Sequence, residues 1–148
     1  MKMESSRHAS LLAELEVLTK TEEDRRTIGR EVLRRLLLHN PNFMKLFKSI
    51  QASTLPQALN SSYLSHLAVK FMDSILEMVQ NYNNDEVLKN IINRLAEVHK
   101  HRGITVAHFI QVVPIFTDTL VSYLKVEENK ESMQEILTRV LPMIGKRL

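Results

Sequence analysis

His99 lies on the apolar face of a predicted helix, which leaves two roles for its side chain. Leu88, Ile92, Leu95 and His99 are spaced by four, three and four residues, so one side of the helix carries all of them. An imidazole there either packs in the core as a neutral group bonded to a backbone carbonyl, or binds a metal ion. Periodicity alone leaves both interpretations open.

The neighbours of His99 limit the kind of metal site that it could serve. A site made wholly of protein ligands would need further His, Asp or Glu side chains three or four residues away, and the residue four before it is Leu95. We therefore expect no dedicated zinc site. A cofactor that carries its own equatorial ligands needs only one axial histidine, and this helix supplies one.

The composition argues against several other kinds of chemistry. The chain has no cysteine, which excludes thiolate metal sites, disulfides and cysteine catalysis. No Ser-His-Asp arrangement, pair of acids on one face or glycine-rich phosphate loop stands out, so hydrolase and kinase chemistry lacks support. The net charge of +3, from 20 basic and 17 acidic residues, is too small to indicate nucleic-acid binding.

The chain is expected to fold as one all-α domain over residues 1–148. Gly and Pro are rare, at 3 and 4 residues, and 44% of the residues are hydrophobic, which suits a single helical core. Apolar periodicity predicts helices over residues 10–19, 21–39, 63–79, 86–99, 105–123 and 130–148. Residues 41–62 should form short turns, EENK should be a break, and Pro114 should kink the fifth helix.

No sequence feature indicates export or membrane insertion. The first ten residues lack the apolar core of a signal peptide, and no apolar run approaches the roughly 18 residues that span a bilayer. We expect a soluble, cytoplasmic protein. Arg26, Arg30 and Arg34 form a stripe at helical spacing, which we interpret as an exposed face, with a membrane or acidic-partner contact as the alternative.

Three segments share their order and spacing with one known family. In LLLHNPNFMKLF, Pro41 precedes Phe47 by six residues. The segment AVKFMDSIL has a pattern of small, basic and bulky apolar residues. In LAEVHKHRGITVAHF, Gly103 and Phe109 follow His99. Together they resemble the globin family, and most of all its neuroglobin and cytoglobin branch of intracellular animal globins. The resemblance implies six to eight helices around one haem pocket, with haem b as cofactor and His99 as the iron ligand.

The resemblance also implies which residues surround the haem: Phe47, Leu67, Lys70, Phe71, Leu95, His99, Ile104 and Val112. Lys70 either pairs with a haem propionate at the pocket rim or is a plain solvated lysine. The same two interpretations apply to Lys100, His101 and Arg102. The first helix departs from the family pattern, because Leu18 stands near the place of a common tryptophan, so a globin that has lost its haem stays an alternative.

The side of the iron opposite His99 has two candidate residues, His66 and Leu67. In globins a small residue follows the distal one, where the distal helix crosses a glycine of the second helix. With Leu67 distal, Ala68 meets Gly29; with His66 distal, a leucine must fit that contact, at a cost of roughly 1–3 kcal/mol. We therefore expect Leu67 to be distal.

An apolar distal pocket has functional consequences. Without a hydrogen-bond donor, oxygen should be held less well than CO, while NO should lose little, because a neutral hydrogen bond is worth roughly 0.5–1.5 kcal/mol. The expected function is binding of diatomic gases for sensing or for redox chemistry with NO or nitrite, served by a reductase, rather than bulk oxygen storage. The alternatives are a two-histidine electron-transfer globin that uses His66, and a haem-free helical interaction module.

Overall fold

The computed structural model describes residues 2–47, 50 and 52–148, and all regular structure in this part of the chain is helical. The all-α prediction is therefore confirmed. The elements are α1 (Ser5–Leu18), α2 (Glu22–His39), a 3-10 helix (Pro41–Leu46), α3 (Leu55–Leu59), α4 (Ser62–Gln80), α5 (Asp85–His101), α6 (Val106–Ser122) and α7 (Glu127–Gly145).

Local capping chemistry sets where two of the long helices begin. The Thr21 hydroxyl accepts a hydrogen bond from the Asp24 backbone N–H at 3.0 Å, and the Asp24 carboxylate accepts one from the Thr21 N–H at 3.2 Å. This reciprocal arrangement satisfies N–H groups that the first turn of α2 would otherwise leave unpaired. Thr105 and His108 form the same arrangement at the start of α6. Both helices therefore begin next to the predicted positions.

The start of α7 differs from the prediction. The expected break at EENK is wrong, because Glu127–Lys130 form the first turn of α7. Two acids at a helix N-terminus are stabilised by the helix dipole, and Lys130 pairs with Glu127 at 3.3 Å. A short polar run has the same composition in a loop and in an exposed helical turn, so composition alone misplaced this boundary.

Two further parts of the chain also differ from the predicted boundaries. α1 begins at Ser5, five residues before the predicted start. The predicted turns at residues 41–62 include the 3-10 helix and α3, and each has a proline in its first turn, where a missing N–H costs nothing. α6 continues through Pro114.

α2 and α4 cross in close contact at Gly29. A Cβ atom built on Gly29 would lie 2.3 Å from the carbonyl oxygen of Ala68 and 3.0 Å from its Cα. Real Cβ atoms do not come this close to backbone, so only glycine fits at this point of α2. The predicted contact of Ala68 with Gly29 is confirmed, and it fixes the rotation of α4 about its own axis.

The apolar interior consists of two groups of side chains. The main core joins α1, α2, α4, α5, α6 and α7 and includes Leu11, Met72, Ile75, Met78, Ile92, Met133, Ile136 and Leu137. The α2–α4 cluster lies beside it and comprises Leu33, Leu36, Leu37, Phe43, Leu64, Ala68 and Val112. Phe116 packs against both groups and joins them.

Within the described residues, no single helix is long and apolar enough to cross a membrane. α5 and α6 reach the required length and composition only as a pair, which bends by 120° at the break between them.

Candidate functional site

The side chain of His99 is oriented by its own helix. Its Nδ1 lies 2.6 Å from the carbonyl oxygen of Leu95, one turn earlier on α5. Because a carbonyl oxygen can only accept, Nδ1 carries the proton and Nε2 keeps its lone pair. Among the described residues Nε2 has no hydrogen-bond partner, so the atom that would bind a metal is free to do so.

The surroundings of His99 favour the neutral imidazole. Burial lowers its pKa below the ordinary value, and the positive charge of Arg102 lowers the pKa further, against the opposing hydrogen bond to Leu95. The ring also packs edge-on against Phe109, with centroids 5.3 Å apart and an interplanar angle of 81°. A neutral, laterally held imidazole is the form that ligates iron.

The predicted site residues are shared between the two apolar groups. Phe47 and Leu67 pack against the α2–α4 cluster, of which Val112 is a member. Phe71, Leu95 and Ile104 pack against the main core.

The residues present fit a haem. Phe47, Leu67, Phe71, Leu95 and Ile104 are only partly buried, although each packs against an apolar group. They leave apolar surface that a flat hydrophobic ring would cover, and His99 supplies one axial ligand. Thus the donor set and the apolar walls agree with the cofactor that the resemblance implies.

Phe116 is a candidate site residue that sequence reasoning missed. Its ring lies 4.9 Å from that of Phe71, centroid to centroid, with an interplanar angle of 69°. Phe116 therefore supports the ring of Phe71 from the side of α6. The available signal was the position of Phe116 four residues after Val112, which places both on one face of α6.

The two distal candidates differ in exposure. Leu67 is partly buried and packs against the α2–α4 cluster, whereas His66 is exposed and has no hydrogen-bond or ion-pair partner among the described residues. The contact of Ala68 with Gly29 imposes this difference, because one residue along a helix corresponds to a rotation of about 100°. The arrangement matches the expected register, and the distal role of Leu67 stays a prediction.

Lys70 is exposed and has no ion pair among the described residues. It borders a surface groove of about 910 Å³ between α1, the start of α2 and α4, together with Leu12, Arg25 and Asp73. Of the predicted site residues only Lys70 borders this groove, so the groove is separate from the walls around His99. The pairing of Lys70 with a haem propionate stays a prediction.

The arginine stripe of α2 is engaged within the protein. Arg26 pairs with Glu22 and Glu23, Arg34 pairs with Glu31, and Arg30 donates to the carbonyl oxygen of Leu59 at 2.8 Å. These contacts explain the stripe without an external partner.

Glu31 gives a testable pH dependence. Hydrogen bonds from Arg34 and Arg35 hold the pKa of its carboxyl at about 2, below the ordinary 4.5. A depressed pKa stabilises the fold fully above the unfolded value and loses this effect as the pH falls toward 2. Because both arginines are about 40% exposed, we expect Glu31→Gln to cost about 1 kcal/mol at pH 7.

Thermal unfolding of wild type and Glu31→Gln across this range tests the prediction. The melting temperatures should differ by roughly 2–4 °C at pH 7 and converge as the pH falls below the ordinary carboxyl pKa of 4.5. A difference that stays constant down to about pH 2 would mean that the carboxylate charge is irrelevant to it.

In the described ranges, no group of three or more His, Asp or Glu side chains could hold a metal ion. A metal at His99 would therefore have to arrive with ligands of its own.

Comparisons with known proteins agree with this geometry. The sequence model of the family described as "Globin" matches residues 30–144. A globin of Isoparorchis hypselobagri is 26% identical over 140 residues, which cover 94% of each chain.

Two solved structures share the fold. One is a hexacoordinated heme protein from an anhydrobiotic tardigrade, with a TM-score of 0.83 and 18% identity over 98% of this chain and 94% of the other. The second is the hemoglobin of the botfly Gasterophilus intestinalis, with a TM-score of 0.79 and 14% identity over 98% of each chain. With the family match spanning most of its length, and with His99, Gly29 and Ala68 arranged as described, this chain belongs to the globin family.

Proposed function

We propose that this globin holds haem b through Nε2 of His99 and binds diatomic gases on the Leu67 side. The observation that carries the proposal is the hydrogen bond from Nδ1 of His99 to the carbonyl oxygen of Leu95, which leaves Nε2 unprotonated. The heme protein and the hemoglobin among the structural neighbours support the same cofactor. When bound, haem supplies an iron that takes up O2, NO or CO and changes oxidation state.

The protein's own residues would make the gas site apolar. Leu33, Phe47, Leu67 and Phe71 carry no hydrogen-bond donor, and Phe116 supports Phe71 from behind. A ligand that gains negative charge on binding would find no donor there, whereas a nonpolar ligand would lose nothing. This balance favours CO and NO over O2.

The apolar pocket supports sensing or redox chemistry with NO or nitrite over oxygen storage. Redox turnover would need a reductase to return the iron to the ferrous state. The 32-residue interval from Leu67 to His99 supports a place near the neuroglobin and cytoglobin branch. The composition without cysteine, which suits a reducing compartment, supports a cytoplasmic location.

The proposal predicts that His99→Gly loses the axial ligand. The ferrous, haem-reconstituted wild type should give a five-coordinate absorption spectrum, and His99→Gly should lose haem during gel filtration. Added imidazole should restore both retention and spectrum, because the glycine leaves room for a free ligand. His66→Ala is the control, because it removes an exposed histidine next to Leu67. This variant should leave the spectrum unchanged.

Two results would overturn the proposal. A six-coordinate ferrous spectrum that His66→Ala abolishes would favour the two-histidine electron-transfer globin. A folded wild-type protein that takes up no haem would favour the helical interaction module.

A further inference from the structure

The hydrogen bond to Leu95 is not sufficient to fix the orientation of the His99 ring. Nδ1 of His99 donates to the carbonyl oxygen of Leu95 at 2.6 Å. A hydrogen bond tolerates a deviation of about 30° from linearity before it weakens steeply, so the imidazole could still tilt. A metal ligand has to be held within roughly 10–20° of its working orientation. A second contact is therefore needed to confine the ring.

Phe109 provides a second contact with the His99 ring. The two ring centroids are 5.3 Å apart and the ring planes are inclined at 81°, which is the edge-to-face geometry that aromatic pairs prefer. Phe109 is buried and lies in the first turn of α6, where its backbone N–H donates to the carbonyl oxygen of Thr105 at 3.2 Å. The cap formed by Thr105 and His108 fixes where α6 begins, so the base of the Phe109 side chain also has a fixed position.

The backbone of His99 is held as well. Its carbonyl oxygen accepts hydrogen bonds from the N–H groups of Arg102 and Ile104, each at 3.1 Å. These bonds close the turn between α5 and α6, in which Gly103 takes the left-handed φ of 75°. With the backbone fixed at both His99 and Phe109, the angle between the two rings depends on the other neighbours of the Phe109 side chain.

Gly145, the last residue of α7, lies directly against Phe109. A Cβ atom built on Gly145 would be 3.2 Å from Cβ, 3.5 Å from Cγ and 3.6 Å from Cδ1 of Phe109. Gly145 is buried and does not have a positive φ, so its backbone conformation does not require glycine. Glycine is also an unfavourable residue within a helix. Close approach of α7 to Phe109 is therefore the structural reason for a glycine at this position.

The packing at Gly145 leaves Phe109 little freedom to move. An added Cβ would be closer to Phe109 than the optimal carbon–carbon separation of about 3.5–4.0 Å, and close-packed interiors transmit small displacements. The end of α7 is also joined to α5, because Nε of Arg147 donates to Oδ1 of Asn93 at 2.8 Å. The contacts thus run from α7 at Gly145, through Phe109, to the imidazole of His99.

We propose that Phe109 is a positioning residue for the iron ligand, and that α7 holds Phe109 in place at Gly145. The inference rests on the proposed function and adds how the fold confines the imidazole of His99 to one orientation. Groups that contact a metal ligand orient it and tune the metal that it binds. The close packing of α7 on α6 therefore sets the strength of the bond between His99 and the iron.

A matched pair of variants, Phe109→Leu and Phe43→Leu, tests the proposal. Phe43 packs against the ring of His108 with centroids 5.3 Å apart and an interplanar angle of 83°, almost the geometry of Phe109 with His99. The two phenylalanines are also equally buried, with 8% of Phe43 and 7% of Phe109 exposed. Each variant therefore removes the same kind of ring contact beside the start of α6, and Phe109→Leu alone removes it from the proposed iron ligand.

The measurement is the iron–histidine stretching band in the resonance Raman spectrum of the ferrous, haem-loaded protein. Phe109→Leu should broaden this band, because the imidazole then samples several orientations, and should accelerate haem loss to a scavenger about tenfold. Phe43→Leu should keep the wild-type band. Gly145→Ala should shift the band without broadening it, because Phe109 is displaced but still confines the ring. If Phe109→Leu does not fold, Phe109→Met replaces it, since an unbranched side chain fills the space without a ring.

Three results would contradict the inference. An unchanged band in Phe109→Leu would show that the hydrogen bond to Leu95 orients the imidazole without help. Equal broadening in Phe43→Leu would show a general loosening at the start of α6. An unchanged band in Gly145→Ala would overturn the part assigned to α7.

Haem retention and a measurement without haem separate this inference from the proposed function. If wild type retains no haem, the proposed function has failed and the inference with it. If wild type retains haem and the band does not respond to Phe109→Leu, the inference alone has failed. In the haem-free protein, Phe109→Leu should move the NMR resonances of the His99 ring protons, because the adjacent aromatic ring is lost, whereas Phe43→Leu should not.

Discussion

Gly29→Ala is expected to lower the melting temperature by roughly 6–12 °C, which corresponds to about 3 kcal/mol for a chain of this size. The added Cβ would lie 2.3 Å from the carbonyl oxygen of Ala68. That oxygen belongs to the backbone of α4 and cannot rotate away, so the two helices must separate along the whole crossing. The loss of packing should exceed the gain of up to about 1 kcal/mol in helix propensity from replacing glycine by alanine.

Gly103→Ala is the matched control. Gly103 has φ of 75°, and apart from Gly103 and its two chain neighbours no atom of the described residues lies within 4 Å of the position that a Cβ would take. Alanine there costs only backbone strain, about 1 kcal/mol. Urea unfolding of both variants and wild type provides the measurement. An equal loss of unfolding free energy in the two variants would show that α2 and α4 separate at little cost. That result would remove the steric argument for the register of α4.

Leu67→Gln is expected to raise the affinity for O2 about 10–100-fold while changing the CO affinity little. A glutamine amide would place a donor in a pocket whose predicted walls have none, and a hydrogen bond to a charged acceptor is worth about 1.5–3 kcal/mol. Glutamine is close to leucine in size and does not compete with the gas for iron as a histidine would. The effect should appear mainly as a slower O2 dissociation rate, measured by stopped flow against CO.

His66→Gln is the control for this prediction, because the same amide is placed on the neighbouring residue. His66 is exposed, so its amide should reach solvent and leave both affinities within about twofold, the effect of a surface change on a distant site. If His66→Gln changes the O2 affinity more than Leu67→Gln does, the assigned register is wrong and His66 faces the iron.

The sequence was sufficient for the all-α class and for most helix positions because the relevant signals are local. Apolar residues at three- and four-residue steps determine which face of α4 or α5 is buried, and threonines at positions 21 and 105 cap the helices that follow them. EENK shows the limit of such signals, since this charged turn begins α7, and its Asn129 is buried and donates to Glu14 of α1, a contact that no local pattern records.

The close contact between α2 and α4 was also predictable, for a steric reason. A glycine twelve residues before Pro41 and an alanine after Leu67 are the small residues that a close helix crossing requires. The contact between Gly29 and Ala68 bears this out. Sequence reasoning succeeded here because the constraint is one contact between two residue types, which leaves a visible trace in both helices.

By itself, then, the sequence determined the helical class, the buried face that carries His99 and the crossing that orients Leu67, because periodicity and side-chain size act within a helix or across one contact. Only the tertiary structure decided that Nε2 of His99 is unpaired among the described residues, that Phe116 supports Phe71, and that the arginines of α2 are occupied by internal partners. These depend on distances between atoms that come together only when several helices pack, and no local pattern records such distances.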